Sequence, residues 1–179
     1  ALQNIGGISN VTILSEQSIQ AFDCGPGNMM IDEAMRHFFG LPYDPSGSYA
    51  ASVSIDETLF KELISHPYLN RIPPKSTGRE DFGETCVMEI IRRYPNLSGK
   101  QIVSTFTEFT AYCIADSIQR FGKEVPTSMI VGGGGAYNDE LMRRIQAYLP
   151  RVKVETQEAH GFSSEAKEAI AFVILGYAF

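Results

Sequence analysis

The sequence holds few of the residues that mark disulfide-bonded, zinc-binding or nucleic-acid-binding proteins. Its three cysteines, Cys24, Cys86 and Cys113, have no paired short spacing and no histidine close to them in the sequence, so neither a disulfide framework nor a zinc site is indicated. This cysteine usage favours a reducing cytosol, and we expect a cytoplasmic protein. The 15 basic residues are outnumbered by 21 acidic ones and form no basic run, which argues against nucleic acid and anionic membrane as partners. Long apolar runs are also missing, since no segment approaches membrane-spanning length.

What the sequence does contain is ordinary for one globular domain. Its 179 residues are 44% hydrophobic and 20% charged, which fits a single domain, or one domain with a small insertion, around a sizeable core. The chain enters a predicted strand almost directly after Ala1. We therefore expect it to be a piece of a longer protein.

The hydrophobic periodicity predicts strands first and then an alternation of helices and strands. The predicted elements are strands at 2–5, 8–14 and 19–22, a helix at 29–39, a helix at 99–121, a strand at 128–131, a helix at 139–149, a strand at 152–156 and a helix at 165–179. Three strands in quick succession suggest an antiparallel meander, and the later alternation predicts a parallel sheet covered by helices. Residues 41–97 are rich in Pro, Gly and Ser with short helical patches, and we interpret them as a helical insertion in this α/β domain.

One aspartate stands out at residues 22–28, where the sequence reads Phe-Asp-Cys-Gly-Pro-Gly-Asn. The apolar run at 19–22 brings Asp23 to the mouth of a turn that holds Gly25 and Gly27, and Asn28 opens the next segment. A carboxylate at a strand end beside such a turn is where α/β sheets place catalytic groups. The alternative is a strand that simply ends in an Asp-Gly-Pro-Gly turn.

Two glycine corners, each directly after a predicted strand, indicate a site for a phosphate-bearing ligand. They are Gly6 and Gly7 with Asn10 just after, and Gly133, Gly134 and Gly135 with Asn138 just after. Bare backbone N–H groups at such corners cradle phosphate, and a helix N-terminus adds partial positive charge. Four consecutive glycines lose much backbone entropy on folding, so close approach of a ligand explains them better than a plain turn does.

Two familiar nucleotide motifs do not fit these corners. The G-x-G-x-x-G spacing of a dinucleotide-binding fold is missing, and Lys75-Ser76-Thr77 lacks the upstream glycines of a P-loop. Thr77 and Glu80 have capping-box spacing, so the segment 73–80 either begins a helix or contacts a ligand. Three strands, two glycine corners and a lone aspartate instead suggest the actin-like ATPase and sugar kinase architecture.

Five segments resemble the motifs of the anhydro-N-acetylmuramic acid kinases of peptidoglycan recycling. Residues 3–10 resemble N-L-G-G-I-A-N, 22–29 resemble F-D-T-G-P-G-N-M, 73–80 resemble P-P-K-S-T-G-R-E, 131–138 resemble V-C-G-G-G-A-x-N, and 168–172 resemble E-A-I-A-F. The motifs occur in the family's order from end to end of the chain. Cys24 stands where the family has threonine, Gly132 where it has cysteine, and Val53 where it commonly has glycine.

The resemblance implies the C-terminal domain of such a kinase, with an actin-like ATPase (ribonuclease H-like) fold. These enzymes use ATP and Mg²⁺ to phosphorylate the 6-oxygen of 1,6-anhydro-N-acetylmuramic acid, while water opens the anhydro bridge; they are usually homodimers. The family's N-terminal half, with its G-T-S-x-D-G loop, is not in this sequence. We therefore expect the fragment alone to be inactive. A nucleotide-binding module without catalysis, or a structural domain whose glycines are only turns, are the alternatives.

The motif matches also assign roles to individual residues. Asp23 corresponds to the base that activates water, and Glu168 either is a second active-site carboxylate or is simply a helix-face glutamate. The cofactor-binding residues implied by the matches are Gly6, Gly7 and Asn10 in the second phosphate loop, Gly25, Gly27 and Asn28 after Asp23, and Gly133, Gly134, Gly135 and Asn138 in the adenosine turn. The three histidines fall in no motif, and we interpret them as structural.

Overall fold

The computed structural model describes residues 1–16 and 18–161. The predicted last helix at 165–179, which includes Glu168, lies outside the described residues. Everything stated below about the structure concerns the described part of the chain.

A mixed sheet of five strands forms the frame of the described structure. The strands are β1 (Leu2–Ile5), β2 (Ile8–Leu14), β3 (Ile19–Pro26), β4 (Ser128–Gly132) and β5 (Lys153–Thr156). Their spatial order is β3-β2-β1-β4-β5. The first three pair antiparallel, whereas β4 and β5 run parallel to β1. The predicted meander leading into a parallel sheet is confirmed.

Seven α-helices belong to the described residues. They are α1 (Met29–Phe39), α2 (Ser48–Ala51), α3 (Glu57–Ile64), α4 (Arg79–Phe82), α5 (Glu84–Arg93), α6 (Gly99–Phe121) and α7 (Asp139–Tyr148). Within this part of the chain, no helix is both long and apolar enough to cross a membrane.

The long helix α6 packs on both sides and joins two hydrophobic clusters. One cluster lies between the sheet and helices α6 and α7, and it contains Val11, Phe22 and Ile114. The other lies between α1, α6 and the helices of residues 41–97. The apolar side chains of α6 are fully buried at Ile102, Phe106, Phe109, Cys113 and Ile114, as expected for a helix between two layers. The segment 41–97 thus shares its core with the rest of the domain.

The structure corrects the predicted end of the third strand. We expected the strand to stop at Phe22 and Asp23 to lie at the mouth of a turn, but β3 continues to Pro26. Asn10 pairs with Asp23 and Ser9 with Gly25, so Cys24 is an extra residue in the ladder. This is a β-bulge, which allows a glycine- and proline-containing segment to continue a strand at the edge of the described sheet.

Candidate functional site

The two glycine segments near the N-terminus pack directly on each other. The N–H groups of Gly27 and Met29 donate to the Gly7 carbonyl at 2.8 and 3.1 Å, and that of Asn28 donates to the Gly6 carbonyl at 2.8 Å. A Cβ atom at Gly27 would lie only 2.2 Å from the Gly6 oxygen. The close approach that glycine permits here is therefore to another backbone. These N–H groups at the start of α1 are already bonded and do not face a ligand.

The second glycine turn lies against the first corner. Gly133 has a φ of +86°, and a Cβ there would lie 2.7 Å from the carbonyl oxygen of Ile5. The turn also meets the Asn28 side chain, since Cβ atoms at Gly134 and Gly135 would lie 3.6 and 3.2 Å from its amide nitrogen and oxygen. Asn28 thus sits between both corners; a Cβ at Gly135 would be tight against its side chain, whereas one at Gly134 would make an ordinary contact.

A cavity of about 490 Å³ opens beside this turn, between α1, the loop at 43–46 and the start of α7. Four residues expected to bind cofactor line it: Asn28, Gly133, Gly134 and Asn138. The Asn138 side chain accepts a hydrogen bond from the Leu141 N–H at 3.0 Å, so it caps α7. Among the described residues, neither lysine nor arginine is in the lining. The wall suits the uncharged, aromatic part of a ligand better than a phosphate chain.

A row of polar residues crosses the sheet toward the same turn. In the strand registers, Asp23 pairs with Asn10, Asn10 with Asn4, and Asn4 with Gly132. Residues paired across neighbouring strands project from the same face. Because adjacent strands are about 4.8 Å apart, Asp23 lies roughly 10 Å from Asn4 along this face. We call Asp23, Asn10 and Asn4 the polar row; it connects the acid to the glycine turn.

Asp23 is held at three of its polar atoms by residues 68–77. Its N–H donates to the Lys75 carbonyl at 3.1 Å, and its carbonyl accepts from the Tyr68 hydroxyl at 2.7 Å. The Thr77 N–H donates to Oδ2 of the carboxylate at 3.0 Å. The other carboxylate oxygen accepts no hydrogen bond from the residues described, and no ion pair to Asp23 occurs among them. One oxygen is thus oriented and the other is open to accept a proton.

Comparison with known proteins identifies the family. The family model described as anhydro-N-acetylmuramic acid kinase matches residues 1–179. The chain belongs to this family. It is 43% identical over 182 residues to the anhydro-N-acetylmuramic acid kinase of Clostridioides difficile (strain 630), covering 98% of this chain and 48% of that protein. The kinase of Bacillus cereus (strain AH187) is 46% identical over 183 residues, with 97% and 48% covered. The chain therefore spans about half the length of these curated relatives.

Solved structures at low identity show the fold. The activator of the 2-hydroxyisocaproyl-CoA dehydratase from Clostridium difficile, with bound ADPNP, superposes with a TM-score of 0.53 at 16% identity, covering 87% of this chain and 52% of that one. Component A of the (R)-2-hydroxyglutaryl-CoA dehydratase from Acidaminococcus fermentans gives 0.51 at 16% identity, covering 87% and 54%. The chain thus shares the α/β fold of these two structures, as expected.

The structure divides the residues expected from the kinase motifs into separate groups. Asn28, Gly133, Gly134 and Asn138 meet at the cavity, while Asp23 and Asn10 stand in the polar row. Gly25 packs against Cys113 of α6, where an added Cβ would lie 3.2 Å from the cysteine side chain. Its position is explained by packing on the core.

The segment matching the family's P-P-K-S-T-G-R-E motif begins a helix, which is one of the two alternatives that the sequence left open. Helix α4 begins at Arg79 with Gly78 as its N-cap, and no side chain caps it. The Thr77 hydroxyl donates to Asp81 at 2.7 Å, so the capping box suggested by the spacing of Thr77 and Glu80 does not form. The segment also runs beside β3 and binds Asp23. A contact across more than 50 residues leaves no trace in local spacing.

Sequence reasoning also missed Asp32 in the cavity wall. It lies one turn after Asn28 in α1. Burial raises the pKa of its carboxyl to about 6, while nearby Arg36 lowers this pKa and nearby Glu33 raises it. The spacing of four residues from Asn28 places both side chains on one helix face. That spacing was the available clue.

Proposed function

We propose that this chain is the C-terminal, nucleotide-binding half of a kinase that acts on 1,6-anhydro-N-acetylmuramic acid. The family membership supports the reaction class, and the actin-like fold supports ATP as the phosphoryl donor. The observation that carries the proposal is the polar row. It sets one carboxylate, with an open oxygen, on the same sheet face as the glycine turn.

In this proposal, Asp23 is the base for the water that opens the anhydro bridge. The open carboxylate oxygen takes a proton from water as the water oxygen bonds to the anomeric carbon. The bond from that carbon to the 6-oxygen breaks, and the 6-oxygen bonds to the γ-phosphorus while ADP leaves. The products are N-acetylmuramic acid 6-phosphate and ADP. Glu168, outside the described residues, remains a candidate for a second carboxylate.

The nucleotide would lie along the glycine corners. We assign the adenosine to the cavity beside Gly133 and Gly134, where the lining is uncharged apart from Asp32 and Asp44. Gly6, Gly7 and Asn10 remain the proposed second phosphate loop, because their hairpin lies between the cavity and Asp23. This arrangement leads the phosphate chain along the polar row toward the acid.

The donor set of the described residues fits a magnesium ion bound mainly through substrate. Among these residues, no group of three or more His, Cys, Asp or Glu side chains could hold a metal. Mg²⁺ commonly takes its ligands from phosphates and water together with one or two carboxylates. When bound, it would neutralise charge that develops on the β- and γ-phosphates.

We also propose a cytoplasmic enzyme of peptidoglycan recycling that is a homodimer and binds neither nucleic acid nor membrane. The family supports the pathway and the dimer. The net charge of −6 and the free thiols of Cys24, Cys86 and Cys113 support the other assignments.

Replacing Asp23 by Asn in a protein that carries both halves tests the proposal. We expect sugar-dependent ATP turnover to fall about 10²–10⁴-fold, the usual contribution of a positioned base, with ATP affinity unchanged. Asp139→Asn, at an exposed aspartate beside the cavity, is the matched control and should retain wild-type turnover. Mass spectrometry of the sugar product, with ATP titrated calorimetrically, gives both readouts.

The alternative is a nucleotide-binding module without catalysis. It predicts ATP binding but no phosphorylated sugar from either the wild type or Asp23→Asn. A purely structural domain predicts that ATP does not change the melting temperature. Full sugar-dependent turnover by Asp23→Asn would show that Asp23 is not the base.

A further inference from the structure

Residues 73–78 form a strap along the outer side of β3, next to Asp23. The strap gives β3 two backbone partners at this point, through the Lys75 carbonyl and the Thr77 N–H. In the described sheet, β3 has a strand neighbour only on its β2 side. The position of the Asp23 carboxylate therefore depends on the strap as well as on the sheet.

Lys75 anchors this strap among aromatic rings. Its side chain is buried, and Nζ lies 4.7 Å from the ring centroid of Tyr68, 4.9 Å from that of Phe121 and 6.0 Å from that of Phe22. These rings come from three parts of the chain: the turn at 67–70, the end of α6, and β3 directly before Asp23. A desolvated cation over ring faces gains more than an exposed one does.

The identity of this buried residue is not explained by stability alone. No carboxylate forms an ion pair with Lys75 among the described residues, and burial lowers the pKa of its amine. Burying an unpaired charge is costly, and an apolar side chain of similar length would fill the same space at lower cost. A buried lysine that is less stabilising than an apolar side chain of similar length, and that lies next to Asp23, points to a role in the neighbouring site.

Tyr68 connects Asp23 to the three aromatic rings around Lys75, which we call the cage. The Tyr68 ring is one wall of this cage, and the Tyr68 hydroxyl donates to the Asp23 carbonyl. Lys75 therefore binds the N–H of Asp23, Tyr68 its carbonyl and Thr77 its carboxylate, and the three residues hold Asp23 as one unit. The charged and titratable groups around this unit are Cys24 on β3, Arg71 after the turn at 67–70, Asp81 on α4, and Cys113, Asp116 and Arg120 on α6.

We propose that Lys75 and Thr77 are positioning residues for Asp23: the caged lysine fixes the strap, and the Thr77 N–H fixes the carboxylate. This rests on the proposed role of Asp23 as the base. A hydrogen bond to Oδ2 holds one rotamer of the carboxylate, which leaves the other oxygen directed at its proton.

Thr77→Pro, which removes the N–H, is the direct test in a protein that carries both halves. We expect kcat to fall about 10- to 100-fold, as for a displaced catalytic group, with the KM for ATP within about twofold. Thr77→Ala keeps the N–H and should keep kcat near its wild-type value.

Substitutions of Lys75 keep the inference testable if Thr77→Pro does not fold. Lys75→Met fills the cage without the charge, so we expect an unchanged or higher melting temperature together with a lower kcat. Lys75→Arg restores a cation and should recover part of the rate. The exposed neighbour Ser76 serves as the control, and Ser76→Ala should leave the rate unchanged.

Wild-type kcat in a folded Thr77→Pro variant, or wild-type kcat in Lys75→Met, would overturn the positioning role. If Asp23→Asn is inactive in the same assay, such a result rules out the positioning role of the strap and leaves Asp23 assigned as the base. If Asp23→Asn is fully active, the base assignment itself fails.

Discussion

At the scale of single residues, the two carboxylates of the cavity wall, Asp32 and Asp44, differ in the hydrogen bonds that they accept. Asp44 accepts hydrogen bonds from the N–H groups of Tyr49 and Ala50 at 2.9 and 3.0 Å. Asp32 accepts no side-chain hydrogen bond from the residues described, and burial raises the pKa of its carboxyl to about 6. Asp44 therefore organises the backbone of α2, whereas the ionised form of Asp32 destabilises the folded protein. The carboxylate of Asp32 is the one in this wall that a donor on a ligand would stabilise.

Replacing Asp32 by Asn should raise the melting temperature at pH 8. The folded protein holds the Asp32 proton more tightly than the unfolded chain does, so the ionised carboxylate destabilises the fold above about pH 6. This destabilisation disappears as the pH falls through 6 toward the ordinary aspartate pKa. Thermal melts from pH 8 to pH 4 should therefore show a difference that narrows with acidification.

Glu33→Gln is the control for the Asp32 experiment. Glu33 is the next residue in α1 and forms an ion pair with Arg36, so its neutralisation should not stabilise the protein at pH 8. A lower melting temperature of Asp32→Asn at pH 8 would contradict the destabilising role of the Asp32 charge.

At the scale of secondary-structure elements, local capping chemistry made α1 and α6 predictable to the residue. Gly40 adopts the left-handed conformation that ends α1, and Ser98 with Gln101 forms the capping box that opens α6. The end of β3 was not predictable, because its backbone partner is the strap, more than 50 residues away in sequence. Local periodicity reports burial and caps, but not which distant segment completes a strand.

Helix α7 is tied to α6 and α2 by one buried arginine. Arg144 donates to the carbonyls of Ser104 and Ala50 at 2.7 and 3.3 Å, and it forms ion pairs with Glu108 and Glu140. Hydrogen bonds from Arg143 first, and then from Arg144, lower the pKa of the Glu140 carboxyl to about 2. The network also fixes the cavity wall, because α2 follows the loop at 43–46 and α7 begins at its far side.

Arg144→Met should destabilise the protein by about 3–5 kcal/mol, because it breaks a buried ion-pair network. Glu108 loses its cation, Glu140 keeps only Arg143, and the Ala50 carbonyl loses a donor. Arg143→Met removes an arginine whose side chain is 65% exposed, and we expect a loss of about 1 kcal/mol or less. Urea denaturation of both variants, with unchanged m-values, measures the difference. Equal losses in the two variants would show that the buried contacts to α6 and α2 contribute little.

At the scale of the whole molecule, the sequence predicted the topology and the family, but not how the site is divided in space. The order of strands and helices predicts the antiparallel meander and the parallel strands of the observed sheet, and the motifs identify the family. The motifs also grouped Gly25 and Gly27 with the ligand-binding residues, although their close contacts are to Cys113 and to the Gly6 carbonyl. A glycine pattern shows that something approaches the backbone, and only packing shows whether it is a ligand or the protein itself.

The length of the chain leads to the last prediction, that this chain alone gives no sugar-dependent ATP turnover. It spans about half of its curated relatives, 48% of each of the two compared. Kinases of this kind close two domains on nucleotide and sugar, and closure both excludes water and completes the set of groups around the phosphate. In the function proposed above, this chain supplies one wall, which would hold adenosine at the cavity without enclosing the sugar between the acid and the γ-phosphate. We therefore expect ATP to raise the melting temperature of the chain as a bound ligand does, while no phosphorylated sugar forms until the other half of a relative is supplied. Product formation by the chain alone at the rate of a full-length relative would show that one wall suffices, and that the second half serves a purpose other than catalysis.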